Sequence, residues 1–343
     1  MKRHLNTLYV TTQGAYLAKD GEAVAVRVDE ETRMRVPVHN LGGVVCFGQI
    51  GFSPFLLGLC AERGIPVSFL TENGRFLARV QGPTSGNVLL RREQYRRAES
   101  PAASAAIARA FIAAKIANAR TLLLRALRDR PEAPGTDRLR AATAGLAAHL
   151  GELREGVPLD SVRGLEGNAA RIYFEVFDLL ILQQKEDFYF RERSRRPPLD
   201  NVNALLSFLY TLIRHDIVAA LESVGLDPAV GFLHRERPGR PALALDLMEE
   251  LRAGLADRLA LSLINLQQIR PGGFRQDEAG GVVMDDDTRK AVLTAYQKKK
   301  QEEIVHPFLG EKTTVGLVPH LQAALLSRHL RGDLDAYPAF VWK

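Results

Sequence analysis

The chain has 343 residues, 46% hydrophobic and 25% charged, a balance that excludes disordered and fibrous classes and is too long for one small core. Its formal charge of +6 points to polyanionic partners, nucleic acid first, and says nothing about fold. No run of eighteen apolar residues reads as a membrane span, and Thr11, Thr12, Gln13, Lys19 and Asp20 break any leader-like stretch, so a cytoplasmic protein is expected.

From the N-terminus, Leu5–Val10, Ala15–Lys19, Ala23–Val28 and Arg33–Val38 read as short β-strands separated by turn residues such as Asp20-Gly21. Val44–Phe47 and Val67–Leu70 read as buried strands, and Asn73-Gly74 as a hairpin turn leading to Phe76–Val80. One helix interrupts them, with Ser53 as N-cap, Pro54 in the first turn and Gly64 as its stop. Cys46 and Cys60 lie in apolar runs and form no CxxC pair, which suits buried thiols in a reducing compartment rather than a disulfide or a zinc site. The loop Gly82–Gly86 and the arginines Arg91, Arg92, Arg96 and Arg97 mark a boundary.

Beyond residue 100 the pattern is helical. Helices are predicted over 102–130, 138–155, 161–184 (Ser161 as N-cap), 201–222 (capped by Asp200, stopped by Gly225), 241–266, 286–303 and 318–331. Arg191–Arg196 with Pro197-Pro198 is a basic loop, because adjacent prolines forbid helix. The fold class expected is α+β: a β-rich domain over 1–85, a linker over 86–100 and a larger all-α domain over 101–343.

Two places carry candidate chemistry. In 231–252 a loop bearing His234, Arg235, Arg237 and Arg240 enters a helix bearing Asp246, Glu249 and Glu250, carboxylates three and four residues apart. This is either a metal site beside a phosphate site or a basic loop followed by an amphipathic helix with a solvated acidic face. In the 161–184 helix, Glu166 shares the apolar face of Ala170, Tyr173 and Phe177, a costly position for a carboxylate without a partner. It either pairs with Arg163 or Arg171, or meets His234 and the 246–250 carboxylates around one divalent ion. One imidazole and two carboxylates suit Mn²⁺ or Mg²⁺, with zinc open on ligand type, and such an ion serves phosphodiester chemistry while arginine forks hold phosphates. Lys298, Lys299 and Lys300 form either a solvated helix face or a DNA contact. No P-loop and no GxGxxG is present, which argues against nucleotide hydrolysis.

Four blocks, RGLEGNAARIYF (163–174), RRPPLDNVNALLSFLYTLI (195–213), GFLHRERPGRPALALDLMEELR (231–252) and 306–343, together resemble the CRISPR-associated integrase/endonuclease, the larger subunit of the spacer-acquisition machinery. The last block points to the branch found with I-C-type systems. The resemblance implies a dimerising N-terminal domain and an all-α catalytic domain. It implies metal ligands Glu166, His234 and an acid about fifteen residues later, where Glu249 fits and Asp246 is a neighbour in the same catalytic site. It also implies DNA contacts from Arg235, Arg237, Arg240, Arg195, Arg196 and the three lysines. A complex of two homodimers bridged by a dimer of a small partner, four copies of this chain to two of the partner, would insert short DNA duplexes into a repeat array. The rival readings are a hydrolytic nuclease for branched DNA and a non-catalytic DNA-binding scaffold.

Overall fold

A computed structural model describes residues 6–72, 76–80, 82, 87–154 and 156–342. His4, Leu5, the Asn73-Gly74 turn, residues 83–86 and Glu155 lie outside the described residues. The described chain falls into two compact units, one drawn from 1–86, 284–303 and 314–317, the other from 87–283, 304–313 and 318–343.

The first unit opens with strands β1 (Asn6–Val10), β2 (Tyr16–Asp20), β3 (Ala23–Val28), β4 (Glu31–Pro37), β5 (Leu41–Phe47) and β6 (Gly51–Phe52). Helix α1 (Pro54–Glu62), β7 (Val67–Leu70) and β8 (Phe76–Val80) follow. Two four-stranded sheets result, ordered β1-β5-β7-β8 and β4-β3-β2-β6. Parallel pairing of β5 with β7 is possible because α1 supplies the crossover. The Ser53 hydroxyl accepts from Leu56 N at 3.2 Å, and Pro54 takes the first turn, as the sequence predicts. Leu17, Val24, Val44, Leu56 and Val67 form the core with Cys46 and Cys60. Burial pushes both thiols up, to about 12 and about 11, so they stay protonated and inert.

The second unit begins with α2 (Val88–Glu99), so most of the stretch expected as a linker is helix. Arg96 and Arg97 pair there with Glu93 at 2.7 Å, which supports the helix at i,i+3 and i,i+4 spacing. Then come α3 (Pro101–Asp129), α4 (Thr136–Glu152), α5 (Leu159–Glu175) and α6 (Asn201–Ser223). Helix α5 starts two residues before Ser161 and stops at Glu175, well short of 184, where a tight turn over Phe177–Leu180 takes over. Asp200 caps α6 by accepting from Asn203 N at 2.7 Å. Helices α3 and α6 are long and apolar enough to cross a bilayer by length and composition alone, as buried core helices can be, and 56% and 61% of their apolar windows are buried inside the protein.

The predicted 241–266 helix is broken. It comprises α7 (Ala242–Met248), a π-helical stretch over Arg252–Asp257 and α8 (Arg258–Asn265). Between them the backbone tightens, with Glu249 N bonded to Asp246 O (3.2 Å) and Leu251 N to Met248 O (2.9 Å). A tight turn followed by a wide one re-aims side chains that a regular helix would set at 100° steps. The short strands β9 (Phe274–Gln276) and β10 (Val282–Met284) make a small ribbon in the Gly-rich loop. Next come α9 (Asp286–Gln301), the paired strands β11 (Glu303–Val305) and β12 (Lys312–Thr314), and α10 (Val318–Leu330). Helix α9, expected in the helical domain, belongs to the first unit: Lys300 bonds Thr7 Oγ1 on β1 at 3.4 Å and lies over the Tyr296 ring.

Candidate active site

The loop before α7 is shaped around one carboxylate. Phe232, Leu233 and His234 donate their backbone N–H groups to Asp246 at 2.6, 3.0 and 2.9 Å. Gly231 has to be glycine, since a Cβ there would stand 2.7 Å from Asp246 Oδ2 and 2.8 Å from the Ala242 carbonyl carbon. His234 Nδ1 donates to Asp246 Oδ1 at 2.7 Å, which in the neutral ring turns the Nε2 lone pair toward Glu249 Oε1, 3.8 Å away. Asp246 is therefore saturated by three amides and an imidazole. It orients the histidine in the way that outer carboxylates orient metal-bound imidazoles.

Glu249 is 2% exposed and Asp246 and Glu250 are fully buried, so the solvated acidic face allowed by the sequence does not exist. Glu249 Oε2 lies 2.7 Å from Lys115 Nζ on α3, and its Oε1 lies 3.0 Å from Arg252 Nη2. Burial alone would raise its pKa; Arg252, Lys115 and His234 outweigh burial and hold it at about 2. The same Lys115 ammonium bonds Glu166 on α5, whose side chain is 30% exposed. Neither predicted arginine partners Glu166. Arg163 goes to Asp160 and to the Leu233 carbonyl, both at 2.8 Å, and Arg171 goes to Glu175 at 2.6 Å.

Among the described residues, no three His, Cys, Asp or Glu side chains stand close enough to form a ready coordination shell. Instead an ammonium occupies the space between two carboxylates, one of them beside an imidazole nitrogen. A positive charge already sits where these donors converge. The donor set, two hard oxygens groups and one imidazole, fits a divalent ion that keeps open positions.

A cleft beside Glu166 is lined by Lys115, Phe174, Arg195, Tyr210, Arg252 and Asp257. At its floor Asp257 accepts from Tyr210 OH at 2.6 Å and Tyr173 OH at 2.9 Å. The guanidiniums of Arg193 and Arg252 both lie over the Tyr210 ring, 5.3 and 5.1 Å from its centroid. Burial pushes the Asp257 carboxyl from 3.8 up to about 6, against both phenol bonds and both arginines. A raised carboxyl holds its proton more tightly when folded. Its contribution is full below pH about 4 and is lost as pH rises through about 6. Urea titrations at pH 4 to 7.5 are expected to show the native protein losing about 3 kcal/mol relative to Asp257→Asn across that window. A difference independent of pH would contradict this.

Of the remaining predicted residues, Arg235 and Arg237 are exposed on the loop after His234, with Arg235 3.8 Å from Asp160; Arg240 is half-buried and donates to the Arg235 carbonyl. Arg195 and Arg196 are exposed, Arg195 at the cleft. Lys298 is exposed, but Lys299 pairs with Glu302 at 2.6 Å and Lys300 is only 4% exposed, so the lysine run does not act as one basic patch. Sequence reading missed Lys115 and Arg252. The signal for Lys115 was available: it shares a helix face with Phe111, Ile112, Asn118 and Ala119, all buried, and a lone lysine on such a stripe needs an anion.

The family described as "CRISPR associated protein Cas1" matches residues 8–298. A "CRISPR-associated endonuclease Cas1 1" from Chlorobaculum tepidum is 57% identical over 343 residues, covering all of both chains. A "CRISPR-associated endonuclease Cas1 2" from Rhodospirillum rubrum is 54% identical, again over all of both. In fold, a Cas1 protein from Thermotoga maritima superposes with a TM-score of 0.81 at 22% identity, over 96% of this chain and 97% of its own. A casposase bound to its integration product gives 0.83 at 22% identity, over 99% and 95%. A chain of a Cas6-RT-Cas1–Cas2 complex gives 0.82 at 24% identity over all of this chain, which spans 37% of that one. With a family match across most of its length and full-length relatives above half identity, the chain belongs to the CRISPR-associated Cas1 family of endonucleases.

Proposed function

We propose that this endonuclease is an integrase that joins short DNA duplexes into a CRISPR repeat array, with Glu166, His234 and Glu249 holding one Mn²⁺ or Mg²⁺ ion. The observation that carries the reading is that Glu166 from α5 and Glu249 from the turn after α7 share the Lys115 ammonium at the cleft, with His234 Nε2 from the 231–234 loop 3.8 Å from Glu249 Oε1. A bound divalent ion supplies charge stabilisation at the phosphoryl oxygens of the transition state. The chain's own residues do the rest. Asp246 fixes the His234 ring, Arg252 and Lys115 keep Glu249 ionised, and Arg195 with Arg196, Arg235, Arg237 and Arg240 grips the DNA backbone, Lys298 on the first unit being a further contact. In the reaction a DNA 3′-hydroxyl oxygen bonds to phosphorus as the existing P–O ester bond breaks. One phosphodiester replaces another, and the departing strand keeps the displaced oxygen as its own hydroxyl.

Assembly follows the same reading. The first unit exposes Tyr16, Met34, Phe55, Phe76 and Leu77, with Phe55 81% exposed, which supports a role as homodimer surface. Two such dimers bridged by a dimer of a small Cas partner, four chains to two, would present paired sites to the two ends of a duplex. The C-terminal block supports assignment to the I-C-type branch, and the two buried, unpaired thiols suit the cytoplasm.

The test is strand transfer with a duplex bearing free 3′-hydroxyls, in Mn²⁺ and in EDTA. Joined products that require the metal are expected. Cut products without joined ones would favour a hydrolase of branched DNA, and metal-independent binding without any product would leave a scaffold.

A further inference from the structure

Glu166 and Glu249, the partners of the Lys115 ammonium, are accounted for above, but what sits behind them is not. Asn118 lies one turn beyond Lys115 on α3 and is 2% exposed. Its amide nitrogen donates to the Glu250 carbonyl at 2.8 Å and the Phe340 carbonyl at 2.9 Å, while its oxygen accepts from Trp342 N at 2.8 Å. One side chain thus ties α3, the turn carrying Glu249 and the C-terminal segment together. Glu250, the residue after Glu249, accepts from Tyr337 OH (2.6 Å), Phe340 N (2.6 Å) and Gln322 Nε2 (2.8 Å). Two residues past Arg252, the Trp342 indole presses on the π-helical backbone so closely that a Cβ on Gly254 would stand 2.1 Å from its Nε1. Phe340 packs edge-on against Trp342 at 5.0 Å and against His306 at 5.4 Å, and His306 in turn bonds Gln322 at 3.0 Å. Lys115, Glu249 and Arg252, which converge in front, are each backed by a neighbour that the C-terminal segment grips.

We propose that Tyr337–Trp342 is a positioning strap: it sets the separations of Lys115, Glu249 and Arg252, so that its docking and cation binding at the active site are thermodynamically coupled. The proposal rests on the cation site argued above. The coupling has a physical reason. The turn after α7 lacks regular helical bonding, so its geometry is held by side chains and the segment behind it rather than by an internal ladder. Coupling of this kind is reciprocal, strap docking favouring the cation as much as the cation favours docking.

Trp342 is the protein's single tryptophan, so its emission maximum reports strap docking without a label. The experiment uses the full-length chain, with Mn²⁺ alone as probe, free Mn²⁺ being counted by its EPR signal. Asn118→Ala is expected to shift Trp342 emission to the red and to weaken Mn²⁺ binding about tenfold, the scale of outer-shell losses. Saturating Mn²⁺ should move the emission part of the way back. Tyr337→Phe, which keeps the ring on Phe111 and removes one bond to Glu250, serves if Asn118→Ala loses its cooperative melting. The Asn118→Ala, Tyr337→Phe double variant serves if neither alone frees Trp342. A freed Trp342 with Mn²⁺ affinity within twofold of the parent overturns the strap and leaves the cation site standing. A parent protein that binds no Mn²⁺, with Trp342 buried, overturns the cation site and the proposal with it.

Discussion

Exchanging Glu249 for glutamine is expected to lower strand joining and DNA cutting by about 10³-fold, the scale of losing a charged group that acts on the transition state. Glutamine keeps the shape of the side chain, so the loss would come from charge. In the parent, Glu249 is held ionised at 2% exposure by Arg252, Lys115 and His234. The neutral variant leaves Lys115 and Arg252 facing one another and removes the one carboxylate, among the described residues, that pairs with both. Glu166→Gln should lose as much, because its carboxylate is the second anion on the Lys115 ammonium. Asp246→Asn should lose less, about 10- to 100-fold, since that carboxylate positions the imidazole and would not contact the ion itself. The comparison of Asp246 with Glu249 decides which of two acids, three residues apart, is the ligand. Strand-transfer rates for the three variants, each checked for an unchanged melting temperature, make the measurement. Joining within tenfold of the parent in Glu249→Gln would remove the carboxylate from the chemistry. A larger loss in Asp246→Asn than in Glu249→Gln would reverse the assignment.

The strands of the first unit and most helix starts were legible because their signals are local: period-two burial, Ser53 and Asp200 as caps, Pro54 and Gly225 as punctuation. Glu166 was legible for the same reason, a carboxylate out of place on an apolar face. What could not be read depends on tertiary packing. The break in the 241–266 helix has no proline or interior cap to announce it; it exists because the segment is buried on every side and yields to its neighbours. With that break unseen, Glu249 seemed to face away from the core, and Arg252 was only one more arginine. The assignment of α9 to the first unit is likewise a contact over nearly 300 residues, which no periodicity encodes.

Glu250→Ala is expected to be the most destabilising single change in the second unit, at about 4 kcal/mol. The carboxylate is fully buried and satisfies three donors at once, the Tyr337 hydroxyl, the Phe340 amide and the Gln322 side-chain amide. Truncation strands the Tyr337 hydroxyl and the Phe340 amide in a space that water does not reach, while the Gln322 amide keeps Tyr337 OH and the Pro338 carbonyl, and each stranded donor costs about 1–3 kcal/mol. Part of that is recovered, since a lone buried carboxyl is itself expensive: burial drives Glu250 up to about 8 in spite of its donors. Glu250→Gln separates the two effects. Its carbonyl can still accept from Phe340 and Gln322 while its amide turns to the Tyr337 oxygen, so one donor, the phenol, is left over, and a loss of about 1–2 kcal/mol is expected. Urea unfolding of the three proteins at pH 9, above the Glu250 value of about 8 so that the carboxylate is charged, measures the ladder. Equal losses for alanine and glutamine would mean that the negative charge, and not the count of satisfied donors, holds the segment in place; no loss for alanine would mean that Asn118 and the aromatic packing of Phe340 and Trp342 suffice without it.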